Sequence, residues 1–119
     1  MKDISSITEE ILRERAKSKS FITYAELTKE INRRAGERLI PEKGRAMGRI
    51  LSSVLHEICR RNYRQKGILP GSIVVLKKTG IPSKGYFRFL REEGILREED
   101  EIEFWKMEVR KVFGNRSFP

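Results

Sequence analysis

The chain has 119 residues, 38% hydrophobic and 36% charged, with a formal charge of +9: enough for one domain with a core, and too apolar for wholesale disorder. Its only cysteine, Cys59, excludes an intrachain disulfide and points to a reducing compartment. No leader is visible, and the longest uncharged run, residues 67–76, is broken by Pro70 and Gly71; a soluble, cytoplasmic chain with no membrane partner is expected.

The charge is unevenly placed. Residues 1–28 are balanced, with five bases and five acids, whereas residues 29–91 carry 16 Lys/Arg against four Glu. Residues 92–119 are net acidic, with eight acids and five bases. Concentrated positive charge of this kind attracts a polyanion and releases its counterions. The alternative is a merely solvated surface rich in Lys, Arg and Glu.

In chain order, Ser6-Ile7-Thr8-Glu9 has capping-box spacing, and the apolar residues that follow predict a first helix from Ser6 to Lys19. Thr23-Tyr24-Ala25-Glu26 is a second box, with Ile22 and Leu27 placed as a hydrophobic staple. It predicts a helix from Tyr24 to Ala35, stopped by Gly36. A loop from Gly36 to Gly44 precedes a long third helix. Its apolar face is Met47, Ile50, Leu51, Val54, Leu55 and Ile58, and the opposite stripe is Arg45, Arg49, Ser52, His56 and Arg60. A basic, hydrogen-bonding stripe behind a packing face is what a recognition helix in a DNA groove needs.

Ser72 to Leu76 is rich in β-branched residues and predicts a strand. A turn follows that carries Lys77, Lys78 and Lys84. Residues 86–93 alternate weakly, as a wing strand would, yet also fit a short helix stopped by Gly94, the preferred reading. Acids from Glu98 to Glu101 open a last helix with Ile102, Trp105, Val109 and Val112 inward and Gly114 at its end. No repeat or linker divides the chain. The expected fold is a single, mostly α, winged helix-turn-helix-like domain (α-α-α-β-α-α) with a short strand or hairpin after the third helix.

Three stretches carry a resemblance: Thr23-Tyr24-Ala25-Glu26-Leu27, Arg45-Ala46-Met47-Gly48-Arg49 and Gly85-Tyr86. Across residues 21–93 the chain resembles the winged-helix DNA-binding domain of the O6-alkylguanine-DNA alkyltransferases and alkyltransferase-like proteins. The resemblance implies that Arg45 fills the space left by a flipped nucleotide and that Tyr24 lies near the target phosphate. It stops at the chemistry. Where that family has a Pro-Cys-His-Arg run, this chain reads Ser72-Ile73-Val74-Val75.

Cys59 lies instead on the third helix beside Arg60 and Arg61, which could lower its pKa, although a lone cysteine beside an apolar face is read as packing. With one histidine, one cysteine and scattered carboxylates, neither a zinc site nor a carboxylate-held cation is expected, and Gly44-x-x-x-Gly48 lacks the Lys-Ser/Thr of a phosphate loop. Tyr24, Tyr63, Tyr86, Phe87 and Phe89 interleave with bases and would suit stacking on single strands, or simply serve the core.

The expected function is non-catalytic binding of nucleic acid, double-stranded DNA first, with no cofactor. The binding residues would be Tyr24, Arg45, Arg49, Ser52, His56, Arg60, Lys77, Lys78 and Lys84. RNA binding, a module for an acidic protein partner and a homodimer remain open.

Overall fold

The computed structural model describes residues 3–118. Its elements run α1 (Ile4–Ser18), β1 (Ile22–Thr23), α2 (Tyr24–Ala35), α3 (Gly44–Lys66), β2 (Val74–Val75), α4 (Lys84–Glu92) and α5 (Glu101–Gly114). The chain is thus mostly helical, as composition and periodicity predict, with a small parallel sheet besides.

Local signals explain most boundaries. Both bonds of the Thr23 box are made: Glu26 N–H donates to the Thr23 hydroxyl at 3.1 Å, and Thr23 N–H to the Glu26 carboxylate at 2.9 Å. Gly36 ends α2 at φ 76, a left-handed conformation that lacks the usual Cβ penalty. The long loop after it is held by one buried amide. Asn32 accepts from the N–H groups of Leu39 and Ile40 and donates to the Ile40 carbonyl and to Glu42.

Two expectations need correction. Ser6 is not the cap of α1; the helix starts two residues earlier, and the Asp3 side chain accepts from Ser6 N–H at 2.8 Å. Glu9, the other half of the expected box, is drawn off to α3, where Asn62 and Arg61 both donate to it at 2.7 Å.

The strand from Ser72 to Leu76 also shortens to Val74–Val75, because Pro70–Ile73 forms a 3-10 turn. Ser72 is held there by long-range bonds: its carbonyl accepts from Trp105 Nε1 at 2.8 Å, and its hydroxyl lies 2.6 Å from that of Tyr86. No hairpin follows the third helix. Val74 and Val75 pair in parallel with Ile22 and Thr23, a partner that no local pattern marked. Residues 76–81 close on themselves, with Leu76 N–H donating to the Ile81 carbonyl and Gly80 N–H to that of Leu76.

Residues 84–92 are helical, which places Tyr86, Phe87, Phe89 and Leu90 in the core and leaves Lys84, Arg88 and Arg91 exposed. Strand alternation would have put Arg88 on the same face as Tyr86 and Leu90.

The core lies in two parts. One joins α1, α2 and α3 around Ile11, Leu12, Leu27, Ile31 and Leu51; the other joins α4 and α5 around Leu69, Phe87, Leu90, Trp105 and Val109. Along α3, Leu51, Leu55 and Ile58 are buried as predicted, Met47 and Ile50 pack at the edge, and Cys59 and Asn62 extend the buried face. No helix among the described residues is long and apolar enough to cross a membrane.

Candidate functional site

The nine predicted binding residues divide into two groups, and α4 makes the division. Its start is fixed by Tyr24, whose hydroxyl donates to Ser83 Oγ at 3.3 Å and accepts from Ser83 N–H at 3.0 Å. The first turn of α4 then lies against α3, close enough that a Cβ on Gly85 would stand 3.9 Å from Ser52 Oγ. One turn on, the His56 and Phe89 rings stack with centroids 4.2 Å apart and planes 11° apart. Next, the Arg60 guanidinium sits 5.1 Å from the Phe89 centroid, and its Nε lies 3.3 Å from the Glu93 carboxylate.

Helix α4 therefore runs along α3 in the same direction from Ser52 to Arg60. Ser52 and His56, read from the sequence as the middle of an open stripe, pack against a helix, while Arg60 at its end stays exposed and paired to Glu93. Tyr24, matched by the resemblance to a tyrosine near a phosphate, has its hydroxyl engaged by Ser83.

The remaining residues stay open. Arg45 and Arg49 lie exposed on the first turns of α3, before α4 begins, and Lys84 is exposed at the start of α4. Lys77 and Lys78 are exposed at the tip of the turn after β2. Lys77 is close enough to the start of α2 to help hold the Glu26 carboxyl below its usual range, after the Thr23 hydrogen bonds and together with Arg15. Lys77 thus lies within electrostatic range of the start of α2, and the Tyr24–Ser83 link ties that start to the first turn of α4, which approaches α3 at Ser52, about one and two helical turns beyond Arg49 and Arg45. Sequence reasoning missed Arg88, exposed one turn beyond Lys84. Their four-residue spacing marks it once residues 84–92 are read as a helix.

Ion pairs hold some of the cations and not others. Arg34 lies 2.8 Å from Glu30, 2.7 Å from Glu14 and 3.2 Å from Glu10. Arg33 lies 2.6 Å from Glu30, and these two arginines, Arg33 first, bring the Glu30 carboxyl down to about 2. Arg61 meets Glu9 at 2.7 Å, and Arg91 meets Glu101 at 3.2 Å. By contrast, Arg45, Arg49, Lys77, Lys78, Lys84 and Arg88 have no ion pair among the described residues.

The reactive side chains are placed for packing. Cys59 is buried and its sulfur accepts from Gly71 N–H at 3.3 Å; burial pushes the thiol up to about 12. Arg60 and Arg61 do not lower it, because they turn away to Glu93 and Glu9. His56 is half-buried, and burial first, then Arg60, moves its pKa below the ordinary histidine value against the opposing Glu92 and Glu93. The space between Ser52, His56, Cys59 and Tyr86 amounts to about 10 Å³, room for one water at most. Among the described residues no three His, Cys, Asp or Glu side chains gather as a metal site. Comparison with family models, curated proteins and solved structures yields no match.

Proposed function

We propose that the chain is a non-catalytic DNA-binding protein. Its face would comprise the first turns of α3 (Arg45, Arg49), the outer side of α4 (Lys84, Arg88) and the turn bearing Lys77 and Lys78. The observation that carries this reading is that these six cations, all from the segment 29–91 with its 16 Lys/Arg against four Glu, are exposed and make no ion pair among the described residues, although Arg15, Lys17, Lys19 and Lys29 of the α1–α2 side make none either. On this reading α2 would support α3, and the Lys77–Gly80 turn with α4 would take the part of a wing. With Ser52 and His56 packed against α4 and Arg60 exposed but paired to Glu93, little of the α3 stripe is free to read bases. Most of the affinity then comes from phosphate contacts.

The test is a salt titration of binding to a labelled blunt duplex. Six phosphate contacts give a slope of log K against log salt of about −5, and Arg45→Ala/Arg49→Ala reduces its magnitude by about 2. Arg33→Ala/Arg34→Ala removes as much charge from two ion-paired positions and is expected to leave the slope unchanged. No binding at low salt, or equal effects of the two double mutants, would overturn the reading. RNA binding as tight as DNA binding would replace the substrate class.

The second reading, docking of an acidic protein, draws on the covering of the α3 stripe, since a protein partner needs no base readers. It predicts duplex binding no stronger than that of an unrelated chain of equal charge.

A further inference from the structure

The stripe that α4 covers re-emerges beyond it. Tyr63 lies 18 residues after Arg45, which is five helical turns, so both side chains leave α3 on the same side, about 27 Å apart. Helix α4 ends at Glu92, and Gly94, at φ 73, turns the chain away. Tyr63 is left 40% exposed, and it makes no ring contact among the described residues.

A cleft of about 350 Å³ opens there, lined by Arg60, Tyr63, Arg64, Glu93 and Ile95. Its groups are not interchangeable surface charges. Arg60 is pinned over Phe89 and holds one Glu93 oxygen at 3.3 Å. The carboxylate is thereby oriented, and its other oxygen has no partner among the described residues. Arg64 is exposed and makes no ion pair among them.

We infer that this cleft takes an unpaired nucleobase. The inference rests on the nucleic-acid reading above and adds a single-stranded extension to its substrate. The Tyr63 face, with Ile95 at the side, offers the flat apolar platform on which bases stack. Glu93 offers an oriented acceptor for base N–H groups, which favours guanine, with two adjacent donors, over thymine, with one. Arg64 offers a contact to the flanking phosphate. A duplex held at Arg45, Arg49, Lys84 and Arg88 would direct its overhang toward this end of α3.

The experiment uses the full chain and three labelled probes: a blunt duplex, the same duplex with a four-nucleotide dG-containing overhang, and that duplex with an abasic overhang. The dG overhang is expected to bind about tenfold tighter than the blunt duplex, a factor in the range of one aromatic–base stack. The abasic overhang should bind like the blunt probe. Tyr63→Ala is expected to erase the difference without changing blunt-duplex binding, Tyr63→Phe to keep it, and Glu93→Gln to reduce the preference for dG over dT overhangs. Tyr63→Trp supplies an optical readout: its fluorescence is quenched by the dG overhang but not by the blunt probe, while buried Trp105 stays constant. Equal binding of all three probes would overturn this inference and leave DNA binding standing. Binding to none would overturn both.

Discussion

Replacing Tyr24 with Phe distinguishes two roles for one hydroxyl. In the structure it receives Ser83 N–H at 3.0 Å and donates to Ser83 Oγ at 3.3 Å, fixing where α4 starts. Phenylalanine keeps the ring and deletes both bonds. The longer bond is weak by geometry, so the cost is set mainly by the Ser83 N–H left without its acceptor, about 1–1.5 kcal/mol at a half-buried position. For a chain of 119 residues that corresponds to a fall in Tm of roughly 3–6 °C. Thermal melts followed by circular dichroism read it directly. Ser83→Ala, which keeps the N–H and loses only Oγ, should cost less. If the hydroxyl serves Ser83 and not a phosphate, the salt slope of the proposed DNA binding should be unchanged in Tyr24→Phe. An unchanged Tm with a shallower slope would refute this account and restore the role that the alkyltransferase resemblance implies for Tyr24.

Three further outcomes follow from the interior. A Cβ on Gly71 would stand 3.0 Å from the buried Cys59 sulfur, so Gly71→Ala should cost about 1–3 kcal/mol by overpacking, and Cys59→Ala in the same chain should recover most of it. Simple additivity in urea melts would reject that contact as the cause. Glu108 is buried with Oε2 2.9 Å from Lys111 and Oε1 without a partner among the described residues; Glu108→Met should therefore be neutral or stabilise by about 1 kcal/mol, and a larger loss would show the carboxyl to be needed. The third concerns alkaline pH. Burial raises the Cys59 thiol from 9.0 to about 12, and raises Tyr86 and Tyr24 as well. The fold favours their neutral forms, so their contribution is full below about pH 9 and lost as pH rises through the raised values. Cys59 alone gives about 1.4 kcal/mol per pH unit in that window. The wild type should lose about 2 kcal/mol relative to Cys59→Ala between pH 8 and 10.5, and parallel loss would contradict it.

What could be read from the sequence was local. The bonds that define α2 all lie within four residues, so Thr23, Glu26 and Gly36 announced both of its ends. The same pattern at Ser6 misled because Glu9 has better partners 52 and 53 residues away. Ser72 has ordinary strand composition around it, but Trp105 and Tyr86, 33 and 14 residues on, hold it in a turn. The candidate site divides in the same way. Its cations were visible one by one, and the exposed ones stand where helical periodicity (Arg45, Arg49) and turn signals (Lys77, Lys78) placed them. The covering of His56 by Phe89 is a contact across 33 residues and left no periodic trace. Nor could the sequence distinguish Arg34 from Arg45, because two of the carboxylates around Arg34 lie 20 and 24 residues back on another helix.

That last difference bears most on function. Unpaired cations are not peculiar to this face, since Arg15, Lys17, Lys19 and Lys29 make no ion pair among the described residues either. Leaving six cations unpaired costs little in the free protein. Two unit charges 10 Å apart in water repel by about 0.4 kcal/mol before screening, and physiological salt screens over about 8 Å. A polyanion reverses the balance, since every phosphate it brings releases condensed counterions. Self-repulsion is thus too weak for the lack of ion pairs at these six cations to be evidence about stability. It does matter for binding, because each acid added among Arg45, Arg49, Lys84 and Arg88 would repel a nearby phosphate. The charge-reversing pair Arg45→Glu/Arg49→Glu should therefore leave the melting temperature within about 2 °C while lowering duplex affinity more than the alanine pair does. If it destabilised the fold instead, the unpaired cations would have a structural partner, and the reading of this face as a binding surface would fail.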